Sequence, residues 1–339
     1  MTEYRRDPIT GRTVIVVPGR AARPNEHAAV APTQPTGADC PFCEGNESRT
    51  PPELAAVGAA GRMPNERGWY VRTIPNRFPT VTESAPEPNV TGSASTFEIR
   101  RGFGHHEVII ESPTHAPLLP YLPIDQVCRV LRMCRDRVRV ASERANVGSV
   151  AWFENTGPES GGSLWHPHAQ LVGTSGLSPA LAEEMDGAAR FCARTAAECA
   201  FETVALAEVR SGERVVLESE EFIAFAPFAS AYPYEVRILP HRHTPSFAQA
   251  TDREVDALAE QLPAILRSLL TIVPGASYNL AVNSPAASLS DPSKYHWHLD
   301  LYPRLVRPDG FDLGSGFHVN TVSPEAAASA LRNSLGAKR

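Results

Sequence analysis

Glu154-Asn155-Thr156-Gly157-Pro158-Glu159-Ser160-Gly161-Gly162-Ser163-Leu164-Trp165-His166-Pro167-His168-Ala169-Gln170 is the stretch on which the reading of this chain turns. It leaves an apolar run, Val150-Ala151-Trp152-Phe153, crosses a Gly/Ser-rich turn and ends in two histidines one residue apart, followed by a glutamine. Gly161 and Gly162 let backbone N–H groups close on an anion, and Ser163 adds a hydroxyl donor. On an extended strand His166 and His168 share a face, with Pro167 stiffening the link between them. Donors gathered beside an imidazole are what nucleophilic attack on a phosphate requires.

Working outward, the surroundings of this stretch occur twice. A strand, Glu107 to Ile110, ends at Ser112-Pro113-Thr114-His115. A helix follows from about Pro123, with Ile124, Val127, Cys128, Leu131 and Cys134 on one face. Then come the strand Ser149 to Phe153, the glycine loop and the paired histidines. Downstream, Glu235 to Leu239 ends at Pro240-His241-Arg242-His243, and a helix opens with the capping box Thr251-Asp252-Arg253-Glu254. The strand Tyr278 to Val282, a polar loop through Asp291-Pro292-Ser293-Lys294, and His296-Trp297-His298 complete the second copy. His115 and His166 lie 51 residues apart, and His243 and His296 lie 53 apart. The pattern predicts an α+β chain built by duplication, two antiparallel-sheet halves with packed helices, divided as 1–176 and 177–339. The copies differ chemically. Asp300 stands where the first copy has Gln170, and a carboxylate repels phosphate, so the first copy is the expected reaction centre.

The remaining segments frame these units. Thr13 to Val17 reads as a first strand, and a Pro/Ala-rich connection runs from Pro18 to Asp39. Cys40-Pro41-Phe42-Cys43 has metal or redox spacing, whereas Cys128, Cys134, Cys192 and Cys199 read as small core residues. Trp69 to Thr73 is a strand, and Val81 to Thr96 a loop. Ser178-Pro179 starts a helix that runs to about Cys199, and strands follow near Arg214 to Leu217 and Phe222 to Phe225. With 339 residues the chain can bury a sizeable core. Its formal charge of -6, without a basic block, argues against nucleic acid as the main partner and against a zinc-knuckle interaction module. The start, Met1 to Pro8, has no apolar leader and no run is long enough to span a bilayer, so a cytoplasmic protein without membrane contact is expected.

Cys40-x-x-Cys43, His115, the Gly161-Gly162-Ser163 loop and His166-Pro167-His168-x-Gln170 together resemble galactose-1-phosphate uridylyltransferase, the transferase branch of the histidine-triad superfamily. The resemblance implies that His168 is the nucleophile, with Gln170 and Ser163 beside it. It implies a structural zinc on Cys40, Cys43, His115 and His166. It further places Asn76 and Phe78 around base and ribose, and Asn155 with the Gly161–Ser163 loop around the phosphates. Arg23 and Arg72 become phosphate candidates. Phe311, in the segment from Gly310 to Phe317, falls where the family contributes a sugar-binding segment across a homodimer. The implied activity is exchange of UMP between UDP-glucose and galactose 1-phosphate through a nucleotidyl-histidine. The alternative is an ADP-glucose (nucleoside diphosphate sugar) phosphorylase of the same family, which the Gly310–Phe317 segment also resembles. Hydrolase relatives carry a third histidine at the position of Gln170, so that residue favours transfer. Some members hold a second metal near the C-terminal histidine pair. Asp300 and Asn283 fall where those have histidine, leaving Glu184 and His298 as an expected polar pair.

Overall fold

A computed structural model describes residues 1–22, 37, 39–84, 97, 99, 101–115, 117–287 and 294–336. Arg23, most of the Pro18–Asp39 connection, residues 85–96 and Asp291 to Ser293 lie outside the described residues. Two short strands, β1 (Glu3–Arg6) and β2 (Thr13–Val16), precede the first unit. That unit comprises β3 (Ala55–Gly58), β4 (Trp69–Pro75), β5 (Gly104–Ile110), α1 (Ile124–Ser142), β6 (Ser149–Thr156) and β7 (His168–Thr174). Two helices, α2 (Pro179–Thr195) and α3 (Ala200–Ser211), lead into the second unit. It repeats the order as β8 (Val215–Glu218), β9 (Phe222–Phe225), β10 (Val236–Pro240), α4 (Asp252–Ile272), β11 (Tyr278–Pro285) and β12 (Leu299–Pro303). A short helix α5 (Gly310–Ser315), β13 (His318–Asn320) and α6 (Pro324–Gly336) follow.

The halves meet edge to edge in one ten-stranded antiparallel sheet, ordered β3-β4-β5-β7-β6-β11-β12-β10-β9-β8. The order reads as a five-strand series and its mirror image, with β6 and β11 at the centre. Register confirms the equivalence. Phe153 pairs with Gln170 and Ala281 with Asp300, and Phe153 and Ala281 pair with each other across the seam. A pseudo-twofold axis therefore passes between β6 and β11. A separate three-stranded sheet, β1-β2-β13, joins the two ends of the chain.

Alternation of side chains across the sheet separates core from site. Trp152, Glu154, Ala169, Leu171, Tyr278 and Leu280 point to the face carrying α1 and α4 and are fully or almost fully buried. On α1 the buried Val127, Val130, Leu131, Cys134, Val138 and Ala141 follow helical spacing, and each valine or leucine among them removed from water contributes about 1.5–3 kcal/mol. Ile124, expected on that face, is exposed at the first turn instead.

Other boundaries moved by a few residues. β5 begins at Gly104, three residues before the expected Glu107. The helix capped by Ser178 does not reach Cys199. It ends at Thr195, where Ala196 turns left-handed at φ 57°, and Cys199 becomes the N-cap of α3, its Sγ accepting from the Glu202 N–H. The capping box at Thr251 and Glu254 forms as expected. No helix among the described residues is long and apolar enough to cross a membrane.

Candidate active site

The face opposite α1 carries His168 and Gln170, two residues apart on β7. The paired histidines begin where β7 enters the sheet, and Ile110 of β5 pairs with His168. His168 is buried, and its Nδ1–H donates to the His166 carbonyl at 2.7 Å. Its proton is thereby committed to Nδ1, which leaves the Nε2 lone pair without a hydrogen-bond partner among the described residues. Burial lowers the His168 pKa, so the ring is neutral at physiological pH.

The glycine loop joins β6 to this strand, and Gly161, Gly162, Ser163 and Gln170 are not among the residues that line the cleft at His168. Gly161 sits at φ 85°, a conformation that favours glycine, and a Cβ on Gly162 would lie 2.8 Å from the Asn155 carbonyl oxygen. Ser163 is exposed at the mouth of the loop. Asn279 braces the arrangement from the second half. Its Nδ2 donates to the Ser160 carbonyl at 2.9 Å and to Asn155 Oδ1 at 2.7 Å, which turns the Asn155 amide nitrogen outward. The cleft is lined by Leu118, Glu154 to Gly157, Leu164, Trp165 and His166 to His168. A larger cavity, among Ile9, Phe201, Phe225, Phe228 and Leu239, is mainly apolar and holds none of the expected reaction residues.

Beneath the paired histidines, one Cys₂His₂ group comes together. Ligand atoms of Cys40, Cys43, His115 and His166 all lie within 4.8 Å of one another. His166 Nε2–H donates to the Ser112 carbonyl at 2.7 Å, so its Nδ1 lone pair faces both sulfurs, each 3.6 Å away. His115 Nδ1 is 3.8 Å from Cys43 Sγ. Tetrahedral zinc with sulfur at about 2.3 Å and nitrogen at about 2.0 Å has an S–N edge of about 3.5 Å, so the group fits that ion. Burial, reinforced by Cys40, pushes the Cys43 thiol up to about 11, and burial lowers His166 to about 4, an environment short of a positive charge.

The second half brings together two further groups. Ligand atoms of Cys199, His243 and His296 lie within 4.8 Å of one another, and both ring nitrogens of His296 and Nε2 of His243 are buried without a hydrogen-bond partner among the described residues. Glu184, His298 and Asp300 form the other. Arg237 already occupies that group, donating to both Asp300 oxygens at 2.8 Å and to Glu184 at 3.1 Å. A metal ion there would confront a guanidinium, so the second family metal site does not fit this chain. Asn283 is not among those residues; it pairs with Ala151 on β6.

Other expected site residues scatter. Asn76 reaches Gln170, its Nδ2 3.4 Å from Oε1, while Phe78 two residues on is 83% exposed. Arg72 is not brought to the loop; it is buried, with its guanidinium on Glu53, Thr50 and Asn65. Phe311 is half-exposed on α5, stacked on Phe317. Asn279, His106 and Arg237 were missed from sequence. Arg237 is the one polar residue of β10 and Asn279 interrupts the apolar start of β11, which was the available signal.

The described residues thus form a duplicated antiparallel sheet with a His-x-His strand in each half, the first set on a Cys₂His₂ group. The chain belongs to the galactose-1-phosphate uridylyltransferase family. The family's N-terminal domain profile (Galactose-1-phosphate uridyl transferase, N-terminal domain) matches residues 1–177, and its C-terminal counterpart matches residues 187–315. The chain is 30% identical to the ADP-glucose phosphorylase of Arabidopsis thaliana, over 97% of this chain and 92% of that protein. It is 28% identical to the galactose-1-phosphate uridylyltransferase of Thermotoga maritima, over 98% of each. A crystal structure of an Arabidopsis thaliana ADP-glucose phosphorylase with bound ADP-glucose superimposes with a TM-score of 0.82 at 27% identity, covering 98% of this chain and 99% of that one.

Proposed function

We propose that this protein transfers a nucleotidyl group from a nucleoside diphosphate sugar to a phosphate acceptor through a covalent intermediate on His168. The observation that carries the reading is the state of that imidazole: neutral, Nδ1–H held by the His166 carbonyl, Nε2 without a hydrogen-bond partner among the described residues. Nε2 attacks the α-phosphorus, forming a P–N bond as the P–O bond to the departing sugar phosphate breaks. An oxygen of the acceptor phosphate then attacks the same phosphorus and releases the imidazole. Because a sugar phosphate leaves as a stable anion, no proton donor is needed at Gln170, and an amide that donates to the phosphoryl oxygens suffices. Asn155, Ser163 and the N–H groups of the Gly161–Gly162 turn complete the cradle.

Cys40, Cys43, His115 and His166 would hold a structural zinc. When bound it ties the knuckle to the strand start and neutralises the thiolates. The chain's own contribution is the His166 carbonyl, which fixes the direction of the nucleophile next to it. In this reading residues 1–176 carry the chemistry and 177–339 form the supporting unit. The half-exposed Phe311 and the 78% exposed Leu313 on α5 support a homodimer in which that segment meets a neighbouring site.

Two acceptors divide the family. Uridylyl exchange between UDP-glucose and a hexose 1-phosphate is one reading. The other, phosphorolysis of ADP-glucose, is favoured by the TM-score of 0.82 to the ADP-glucose-bound enzyme against 0.75 to a solved uridylyltransferase. Incubation with UDP-glucose and, separately, ADP-glucose, followed by intact mass, reads which nucleotide His168 retains. Absence of any adduct with both, in zinc-replete protein, sinks the reading.

A further inference from the structure

We propose that His106 is a positioning residue that sets the direction of the Gln170 amide, turning its NH₂ toward the phosphoryl group. The inference rests on the nucleotidyl-transfer reading above. His106 lies on β5, two residues before Val108, which pairs with Gln170, so the two side chains are diagonal neighbours on the same face of the sheet.

An amide and an imidazole each look alike from either end, so their direction must come from partners whose roles cannot change. Two backbone N–H groups supply this. The Thr80 N–H donates to His106 Nδ1 at 3.0 Å, so Nδ1 carries the lone pair and the proton of the neutral ring is on Nε2. That Nε2 is 3.0 Å from the Gln170 side-chain atom assigned as Oε1, which must therefore be the acceptor. Independently, the Phe78 N–H donates to Asn76 Oδ1 at 2.8 Å, so the other end of that amide is NH₂. Asn76 Nδ2 points to the same Gln170 oxygen at 3.4 Å, a second donor on that acceptor; its 3.0 Å approach to His106 Nε2 sets two protonated nitrogens side by side and adds nothing to the assignment. Reversing Gln170 would set its NH₂ against both. It would also offer a carbonyl oxygen, in place of a donor, to the anionic substrate. Burial lowers the His106 pKa, which keeps the ring in the single-donor state this arrangement needs.

The test is a double-mutant cycle on formation of the nucleotidyl-enzyme, followed by quench and intact mass with ADP-glucose or UDP-glucose. His106→Leu should slow formation by about 10- to 100-fold, the scale of a lost transition-state donor, with little change in substrate KM. In the Gln170→Ala background the same change should have no further effect, because there is no amide left to direct. His106→Gln, which returns an N–H donor near the position of Nε2, should recover most of the rate. His106→Asn keeps an acceptor for Thr80 but has no donor in reach of Gln170, and it should behave like the Leu variant if that one does not fold. Multiplying effects of His106→Asn and Gln170→Ala would assign His106 a merely structural role and overturn this proposal alone. A wild-type enzyme that never carries nucleotide on His168 would overturn the transfer reading and this proposal with it.

Discussion

The two His-x-His strands share a backbone device and differ in what meets the imidazole. In both, the second histidine donates its Nδ1–H to the carbonyl of the first, His168 to His166 at 2.7 Å and His298 to His296 at 2.9 Å. In the first half the opposite nitrogen has no partner among the described residues. In the second, His298 Nε2 lies 3.3 Å from Glu184 and 3.5 Å from Asp300. Burial and Arg237 oppose a charge on that ring, but Glu184 and Asp300 outweigh them and raise His298 to about 9. A protonated imidazole has no lone pair with which to attack. Helices α2 and α3 also cover this face, with Phe201 5.2 Å from the His298 ring. The positions around the strand diverge in the same sense. Gln170 is matched by Asp300, and His106, two residues before Gln170's partner, by Glu235, two before Arg237. Duplication therefore supplied the same Nδ1–H to carbonyl frame twice, and among the described residues side-chain chemistry left the Nε2 lone pair free only in the first.

The comparison breaks most plainly at the histidines. His168→Ala should reduce nucleotidyl exchange by roughly 10⁴-fold or more, the scale for removing a nucleophile, while zinc content stays unchanged. His298→Ala should leave exchange within a few-fold and lower stability by about 3 kcal/mol, because Glu184 and Asp300 lose a buried partner. Steady-state kinetics and urea unfolding on the two variants decide it. Loss of exchange in His298→Ala would show that the halves divide the work differently.

Metal content separates the halves next. Cys40→Ser should remove about one zinc per chain and cost about 4 kcal/mol of stability, with activity lost through unfolding. Cys199→Ser should leave that equivalent in place. Metal analysis beside thermal unfolding checks both, and retention of full zinc by Cys40→Ser would remove the first-half group as its site.

At the residue after the histidines, Gln170→His should slow exchange by about a hundredfold, or about 3 kcal/mol of transition-state stabilisation. It should also raise leakage to water, since an imidazole can activate water where an amide cannot. The ratio of sugar exchange to free nucleotide measures this. A variant with the parent's ratio would remove Gln170 as the reason for transfer over hydrolysis.

How much of this was legible in the sequence follows from range. Period-two alternation and turn residues are local, so β6, β7, β9 and the capped starts of α2 and α4 could be read directly. Spacing of Cys40, Cys43, His115 and His166 made the metal group visible, because its chemistry needs those residue types. The merger of two sheets into one was not legible, since pairing of β6 with β11 joins residues more than a hundred positions apart. Asn279 and His106 acquire roles only from that pairing and from the β5–β7 register. Arg72 illustrates the converse. The family resemblance made it a phosphate candidate, and only its contacts with Glu53, Thr50 and Asn65 show it to be committed elsewhere.

The last expected effect concerns stability and the core beneath β7, not the chemistry. Glu154 on β6 matches Val282 on β11, one position along from the Phe153–Ala281 pair, and both side chains are buried. Burial raises the Glu154 pKa to about 7, only partly offset by the hydrogen bond from Thr156 Oγ1, and Glu111 nearby is raised as well. A carboxyl with a folded-state value above its unfolded value of about 4.3 is held protonated by the fold. Its contribution is complete below about pH 4 and lost as pH rises through about 7, after which the native state carries a buried charge. Glu154→Gln keeps the shape, can still accept from Thr156, and does not titrate. It should therefore match the wild type near pH 4 and exceed it by about 3–4 kcal/mol at pH 8, an order-of-magnitude figure from the size of the shift. Glu235 in the second half is also raised to about 7 by burial, so the wild-type slope contains both groups. Subtracting the variant's urea-unfolding curve from the wild type's at each pH isolates the share of Glu154. A difference that stays constant from pH 4 to 8 would mean that this carboxyl holds no proton in the fold, and that the polar core of the reactive half costs no more than the aliphatic core of its twin.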